Sequence, residues 1–500
     1  MPRLKLSPAG RQLDVRAGAQ LQDLLFAHGV EFPCGGHGRC KGCRVKLLRG
    51  DLPVSESEAT QLTAAELTAG WRLACRHQMT ADLELELAQW ELSVLTDQTS
   101  FAFTPGTGLG VAIDLGTTTL AAQLVDLATG NVLGVQTSLN PQARHGGDVM
   151  SRIEFALRGG RPELTQLIRS QLGEMLRQLL GDGHSAPQLN RVVIVGNTVM
   201  HHLFCGLNVA CLAEHPFQTD QPGRFQFSPR VLDWHLPETV SVEFLPCLGG
   251  FVGSDILAGI VATGLHQCSE LTALMDLGTN GEVVMGRHGK IVCTSTAAGP
   301  AFEGARISQG MRACTGAISN VHINHGALVC RVIGGGPARG LCGSGLVDAV
   351  AAGLELGWIQ PSGRMTVGPA MALTKHVSLQ PGDVRELQLA KGAIAAGLRL
   401  LASHFGASRE DVKQLHLAGA FGNYISRAGA RQIGLLNLSP ERIVLAGNTA
   451  LLGAKMALFD GAAKWDDLAR KVGHLALNEL EAFQDIYAEE IRFPKAEQLC

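Results

Sequence analysis

The chain has 500 residues, 46% hydrophobic and 17% charged, with a formal net charge of −3. That length exceeds one ordinary domain and sets an expectation of two to four. The near-neutral balance, without a basic block, argues against nucleic acid as a partner. No stretch reaches the roughly 18–20 uninterrupted apolar residues of a membrane span, so no membrane is expected either.

Leu4-Lys5-Leu6 and Leu13-Asp14-Val15 alternate about Pro8-Ala9-Gly10, which predicts a hairpin. Leu21, Leu24, Leu25 and Phe26 predict a short helix within 20–28, and Arg44 to Leu48 a strand. Between them lie Cys34, Cys40 and Cys43, spaced C-x5-C-x2-C among Gly35, Gly36, Gly38 and Gly42, with Cys75 further on. This is one residue longer in its first gap than the plant-type [2Fe–2S] spacing. Such a cluster needs four thiolates, and glycines let backbone N–H groups approach its sulfides. Structural zinc is the chief alternative, although zinc sites usually come as two short C-x2–4-C pairs. Two disulfides are a weaker one, because Met1-Pro2-Arg3-Leu4-Lys5 runs into a strand without an apolar leader. The expected compartment is the reducing cytoplasm. His37 reads as a solvated loop residue, and the nine further cysteines as buried small hydrophobes.

Hairpin, helix, cysteine loop, strand and Trp71-Arg72-Leu73-Ala74-Cys75-Arg76 resemble the β-grasp of [2Fe–2S] ferredoxins, in the adrenodoxin-like variant with the longer gap. The resemblance implies a ferredoxin domain over 1–92 with Cys34, Cys40, Cys43 and Cys75 as metal ligands. Residues 93–109 read as a short polar linker ending in Thr104-Pro105-Gly106-Thr107-Gly108.

An internal repeat follows. A strand runs into Asp114-Leu115-Gly116-Thr117-Thr118-Thr119, and another into Asp276-Leu277-Gly278-Thr279-Asn280-Gly281. Each is followed by a strand, an amphipathic helix, a further strand and a Gly turn, Gly196-Asn197-Thr198 in one and Gly419-Ala420-Phe421-Gly422 in the other. The halves span 110–268 and 269–500. Turns of Gly and Thr offer N–H and hydroxyl groups to phosphates. Asp114 and Asp276 can hold Mg²⁺ or orient an attacking water. Gly419 lets the backbone lie against an adenosine.

The pattern resembles the acetate and sugar kinase, Hsp70 and actin superfamily. That implies a duplicated α/β ATPase fold of the ribonuclease H-like kind. Gly116 to Thr119 and Gly278 to Asn280 would bind phosphates, and Gly419, Ala420, Phe421 and Gly422 adenosine. The resemblance also places the second connecting helix at 383–402, with Asp255 and Glu303 as candidate further acids. The loops 297–304, 334–336 and 340–345 are rich in glycine, and the last lacks the Lys of a Walker loop. Cys342 has no sequence neighbour at metal spacing.

A one-electron carrier joined to an ATPase makes sense where electron transfer is uphill, at roughly 59 mV per tenfold in equilibrium constant. The whole chain resembles reductive activators of corrinoid-dependent methyltransferases. Asn140-Pro141-Gln142, Gly147 to Ile153, Val195 to Thr198, Ala297 to Glu303 and Leu417 to Tyr424 carry the likeness. It implies ATP-dependent reduction of a corrinoid protein's Co(II) to Co(I), with an upstream electron donor and a homodimer. Longer members carry an extra domain before the ATPase, for which this chain has no room between Cys75 and Asp114. Three other readings use the same parts: an activator of 2-hydroxyacyl-CoA dehydratase type, a small-molecule kinase with a redox-sensing module, and a non-enzymatic nucleotide-gated redox sensor.

If the modules are separable, Cys43→Ala abolishes cluster assembly, seen as loss of the visible spectrum, and leaves ATP affinity intact. Loss of nucleotide binding in that variant would contradict separability.

Overall fold

The computed structural model describes residues 1–7, 10–26, 28, 30, 38, 43–87, 101–181, 188–278, 280–419 and 425–495. The N-terminal unit is a five-stranded sheet in the order Arg11–Asp14, Arg3–Ser7, Leu83–Leu87, Arg44–Arg49, Trp71–Leu73. Period-two alternation buries Leu4, Leu6, Leu83, Leu85 and Leu87 on one face. The helix Leu21–Phe26 lays the fully buried Leu21 and Leu25 on it. Hairpin, helix and strand thus stand where their patterns place them.

A buried carboxylate organises the segment around Cys75. Glu58 accepts from the Leu73 N–H at 2.6 Å and pairs with His77 Nε2 at 2.7 Å. It also closes a capping box with Ser55 at the start of the helix Glu56–Gln61. Burial works against its charge, yet the bonds from His77, Ser55 and Leu73 hold its pKa down at about 2.

The rest is built on two six-stranded sheets that share a five-strand topology, with smaller sheets of three and two strands beside them. The first runs Phe225–Phe227, Ser241–Phe244, Leu189–Gly196, Leu109–Leu115, Thr119–Asp126, Val132–Leu139. The second runs Ile443–Gly447, Gln414–Ala418, Thr272–Leu277, Gly281–Arg287, Lys290–Thr296, Val472–His474. In each, the strand bearing the D-L-G-T turn is central, with a parallel neighbour on one side and an antiparallel one on the other. Helices cover both faces, so Val111, Ala112 and Ile113 are fully buried in succession.

Two helices join the halves, Ser254–Ala262 and Thr449–Ala457. They meet at backbone distance, since a Cβ on Gly453 would lie 2.3 Å from the Ala258 carbonyl oxygen. Ala450, Leu451 and Ala454 share a core with Leu257, Ala258, Ala112 and Val193. This corrects the expectation for 383–402. The helix Pro381–His404 lies on the second half's own sheet, with Ile394 against Gly281. It is long and amphipathic, whereas the true second connector is short and rich in small residues because it must approach another helix closely.

The linker also differs from its polar reading. Phe101 and Phe103 pack on Phe459 at 5.6 and 4.4 Å between ring centroids. Gly130 makes room, since a Cβ there would lie 2.6 Å from the Phe103 ring.

The N-terminal unit rests on both halves. Leu139 and Ala143 of the first half are buried within its core, and Arg144 lies 4.0 Å from Asp23. From the second half, Arg339 pairs with Glu86 at 2.7 Å and donates to the Leu87 carbonyl at 3.2 Å. Gly316, at φ +92°, seats the arginine, since a Cβ there would lie 2.7 Å from Arg339 Cδ. Leu87 stands opposite Val45, two residues from Cys43, so the contact falls at the cysteine end of the sheet.

Such a half-exposed pair contributes about 0.2–1 kcal/mol. Arg339→Glu is expected to loosen the unit and raise the radius of gyration in small-angle X-ray scattering. The charge-exchanged double variant, Arg339→Glu with Glu86→Arg, should restore the compact value.

Candidate cluster site and nucleotide cleft

Cys43 sits at the start of the strand Arg44–Arg49, and Cys75 in the single turn Ala74–Arg76. Their sulfurs are 3.4 Å apart. That separation is far beyond a disulfide bond of about 2.05 Å, and it suits two thiolates bound to one metal ion at about 2.3 Å each. Gly38 brings loop backbone against this segment at φ +70°, where a Cβ would lie 2.9 Å from Arg76 Cδ. These features fit an iron–sulfur cluster and exclude a Cys43–Cys75 disulfide. Cys34, Cys40 and His37 lie outside the described residues.

The first phosphate turn is closed by the Gly116 N–H donating to the Thr119 carbonyl at 3.1 Å. A Cβ on Gly116 would lie 2.5 Å from that oxygen, so the turn requires glycine. Three side chains support it from behind. Asn140 Nδ2 donates to the Gly116 carbonyl at 2.9 Å, and Asn197 Nδ2 to Thr117 Oγ1 at 2.9 Å. Arg152 donates to the Thr117 carbonyl, to Gly146 at 2.9 Å and to Gln142 at 3.2 Å. Burial pushes this guanidinium down to about 9. Asp148 caps the helix that carries Arg152. These residues fall in segments that carried the family likeness, and the structure shows what they do: they fix the turn. The backbone Thr118 carbonyl accepts from Asn140 N–H at 2.9 Å, and Thr119 begins the next strand.

The second turn is closed by the Gly278 N–H donating to the Asn280 carbonyl at 3.1 Å. Glu303 reaches this turn, its Oε1 4.0 Å from where a Gly278 Cβ would stand. Gly419, at φ +82°, lies against the acid of that strand, since a Cβ there would be 2.5 Å from Asp276 Oδ1. Thr279, Ala420, Phe421 and Gly422 lie outside the described residues. Cys342 lies apart, in an apolar cluster with Met311 and Cys314, its thiol donating to the Ile318 carbonyl at 3.3 Å.

Four half-buried carboxyls lie between the turns. Burial raises Asp114 to about 6, against the opposing bond from the Asn448 amide. Burial and then the Asp114 charge raise Asp276 to about 7. Asp255 is pushed to about 8 by burial and then by Asp276 and Asp114. Glu282 is raised well above its usual range by burial, then by Asp255 and Asp276. Such a set attracts a divalent cation, which favours the ionised forms. Among the described residues no three acidic, His or Cys groups converge on one ion position. Glu282 and Asn448 carried no sequence signal. Glu282 follows the second turn in an ordinary strand position, and Asn448 stands 334 residues from its partner.

Residues 109–268 match the RACo middle region, and 270–499 match the C-terminal domain of RACo, the ASKHA domain. Residues 4–80 match the 2Fe-2S iron–sulfur cluster binding domain. The corrinoid activation enzyme RamQ of Eubacterium limosum is 34% identical over 421 residues, covering 77% of this chain and 70% of that protein. The [Co(II) methylated amine-specific corrinoid protein] reductase of Methanosarcina barkeri is 28% identical over 426 residues, 77% of each chain. A solved reductive activator for corrinoid, iron–sulfur protein superposes with a TM-score of 0.69 at 26% identity, over 99% of this chain and 98% of that one.

Raised carboxyl pKa values mean that the folded state holds more protons than the unfolded one, whose carboxyls titrate near 4. Without metal or nucleotide, the contribution of these four groups to stability is therefore present in full below about pH 4 and is lost as pH rises towards 8. Asp255→Asn removes one of these groups. It should raise the thermal midpoint of nucleotide-free protein at pH 8, with a gain that shrinks towards pH 4.

Proposed function

Because the chain belongs to the RACo family of ferredoxin–ASKHA activators, we propose that it reduces the Co(II) corrinoid of a partner protein to Co(I), one electron at a time, at the expense of ATP. When bound by Cys34, Cys40, Cys43 and Cys75, a [2Fe–2S] cluster supplies the one-electron carrier. Asp114 and Asp276 hold the Mg²⁺ of the nucleotide or orient the attacking water. The turns Gly116 to Thr119 and Gly278 to Asn280 receive the phosphates. Gly419, Ala420, Phe421 and Gly422 form the adenosine side of the cleft.

The observation that carries this reading is the seating of the ferredoxin unit on both halves, through Leu139 and Ala143 on one and Arg339 on the other. A nucleotide that draws the halves together changes the relation between those two contacts. The ferredoxin unit must then shift against at least one of them. This gives ATP a mechanical route to the electron carrier, as a ligand can move an equilibrium only by favouring one arrangement over another. The arrangement accounts for both modules in one polypeptide, which neither a kinase nor a passive sensor requires. A cellular reductase as electron donor, a homodimer and a cytoplasmic setting complete the proposal. In its support, no helix among the described residues is long and apolar enough to cross a membrane.

Reduced protein mixed with MgATP and candidate Co(II) corrinoid proteins is expected to develop the Co(I) absorbance. Asp114→Ala and Asp276→Ala should keep the cluster spectrum and lose the ATP-dependent reduction. Normal turnover in both would remove the cleft from the mechanism.

A further inference from the structure

Asn448 occupies a junction that neither half provides alone. It follows the strand Ile443–Gly447 of the second sheet and caps the connecting helix Thr449–Ala457, which lies on the first. Among its bonds, two fix the amide. Oδ1 accepts the Leu451 N–H at 2.8 Å, and Nδ2 donates to Asp114 Oδ2 at 3.0 Å. The cap fixes Oδ1, and the helix is itself fixed by the close approach of Gly453 to the Ala258 carbonyl. Nδ2 therefore has one direction in which to point. The first half contains a similar device, but an internal one: Asn197 caps the helix Thr198–Cys205 through the Met200 N–H at 3.0 Å and donates to Thr117 at 2.9 Å. The Asn448 bond instead crosses from one half to the other.

We propose that Asn448 is a positioning residue for ATP hydrolysis, holding one oxygen of Asp114 so that the other is presented to the cleft. A carboxylate beside two other acids, without such a donor, turns away from their charge and loses its aim. The helix that Asn448 caps packs on the first sheet, beside the strand that carries Asp114, so the amide and the carboxylate are held by one body. Asn448 thereby serves hydrolysis, while binding is provided by the two turns. The inference rests on the reading that this cleft hydrolyses ATP.

Asn448→Ser and Asn448→Asp test it, in full-length protein with its cluster and without any corrinoid protein. Both side chains are good helix caps. Serine has no N–H to reach Asp114, and aspartate sets an acceptor against an acceptor. Affinity for a non-hydrolysable ATP analogue, measured by calorimetry, should stay within about threefold of wild type. The kcat for ATP should fall at least about tenfold, a barrier increase of about 1.4 kcal/mol, and further in the aspartate variant. The cluster spectrum and unfolding midpoint should match wild type. Should the serine variant misfold, the isosteric aspartate variant carries the test. Wild-type kcat in the folded variants, with Asp114→Ala inactive, overturns the role of Asn448 alone. Parallel loss of affinity and kcat overturns it too, since Asn448 would then be part of the binding wall. Absence of ATP hydrolysis in wild type overturns the reading of the cleft, and the inference with it.

Discussion

Four half-buried acids between two sheets set the terms for the rest of the structure. Asp114, Asp255, Asp276 and Glu282 repel one another in a medium that screens poorly, and each is pushed towards its neutral form. A fold that only had to be stable would not assemble them. Here the ends of two strands, the start of a third and the first turn of the helix Ser254–Ala262 bring them together at one cleft, and in the function proposed the cation and phosphates of a nucleotide relieve what the protein alone leaves unbalanced. The scaffold behind the turns, Asn140, Arg152 and Asn197, is correspondingly rigid and heavily hydrogen-bonded. The site is thus fixed in geometry and unfinished in charge.

The same logic separates what the sequence displays from what it hides. Alternating strands that end in Asp-Leu-Gly-Thr are local signals, so the duplication and the two central acids can be read from residues 109–119 and 271–281 directly. The cysteine spacing is local too. The second connecting helix is hidden because Thr-Ala-Leu-Leu-Gly-Ala lacks the polar face that marks a surface helix, whereas Pro381–His404 displays one and attracts the assignment. Arg339 is hidden for another reason. Nothing near it in sequence announces a partner, and its contact with Leu87 spans 252 residues. Phe101 and Phe103 were visible as letters, yet their aromatic seat on Phe459 exists only once the chain has folded.

Among the described residues, the ferredoxin unit meets the halves through mixed contacts: Leu139 and Ala143 from one half, Arg339 from the other and a wide-set pair of Arg144 with Asp23. Such an interface resembles a transient association more than a permanent one. It is strong enough to define a resting position and weak enough to be displaced by a change of a few kcal/mol in the cleft, which is the scale that nucleotide binding commands.

The buried Glu58 has a bearing on where the cluster site gets its shape. By tying the Leu73 N–H and His77 to one carboxylate, it shapes the segment that carries Cys75. Cys43 stands beside it. Two of the four proposed ligands are therefore set by contacts within the folded domain, and the entropy of ordering them is met by the same burial and hydrogen bonds that hold the sheet.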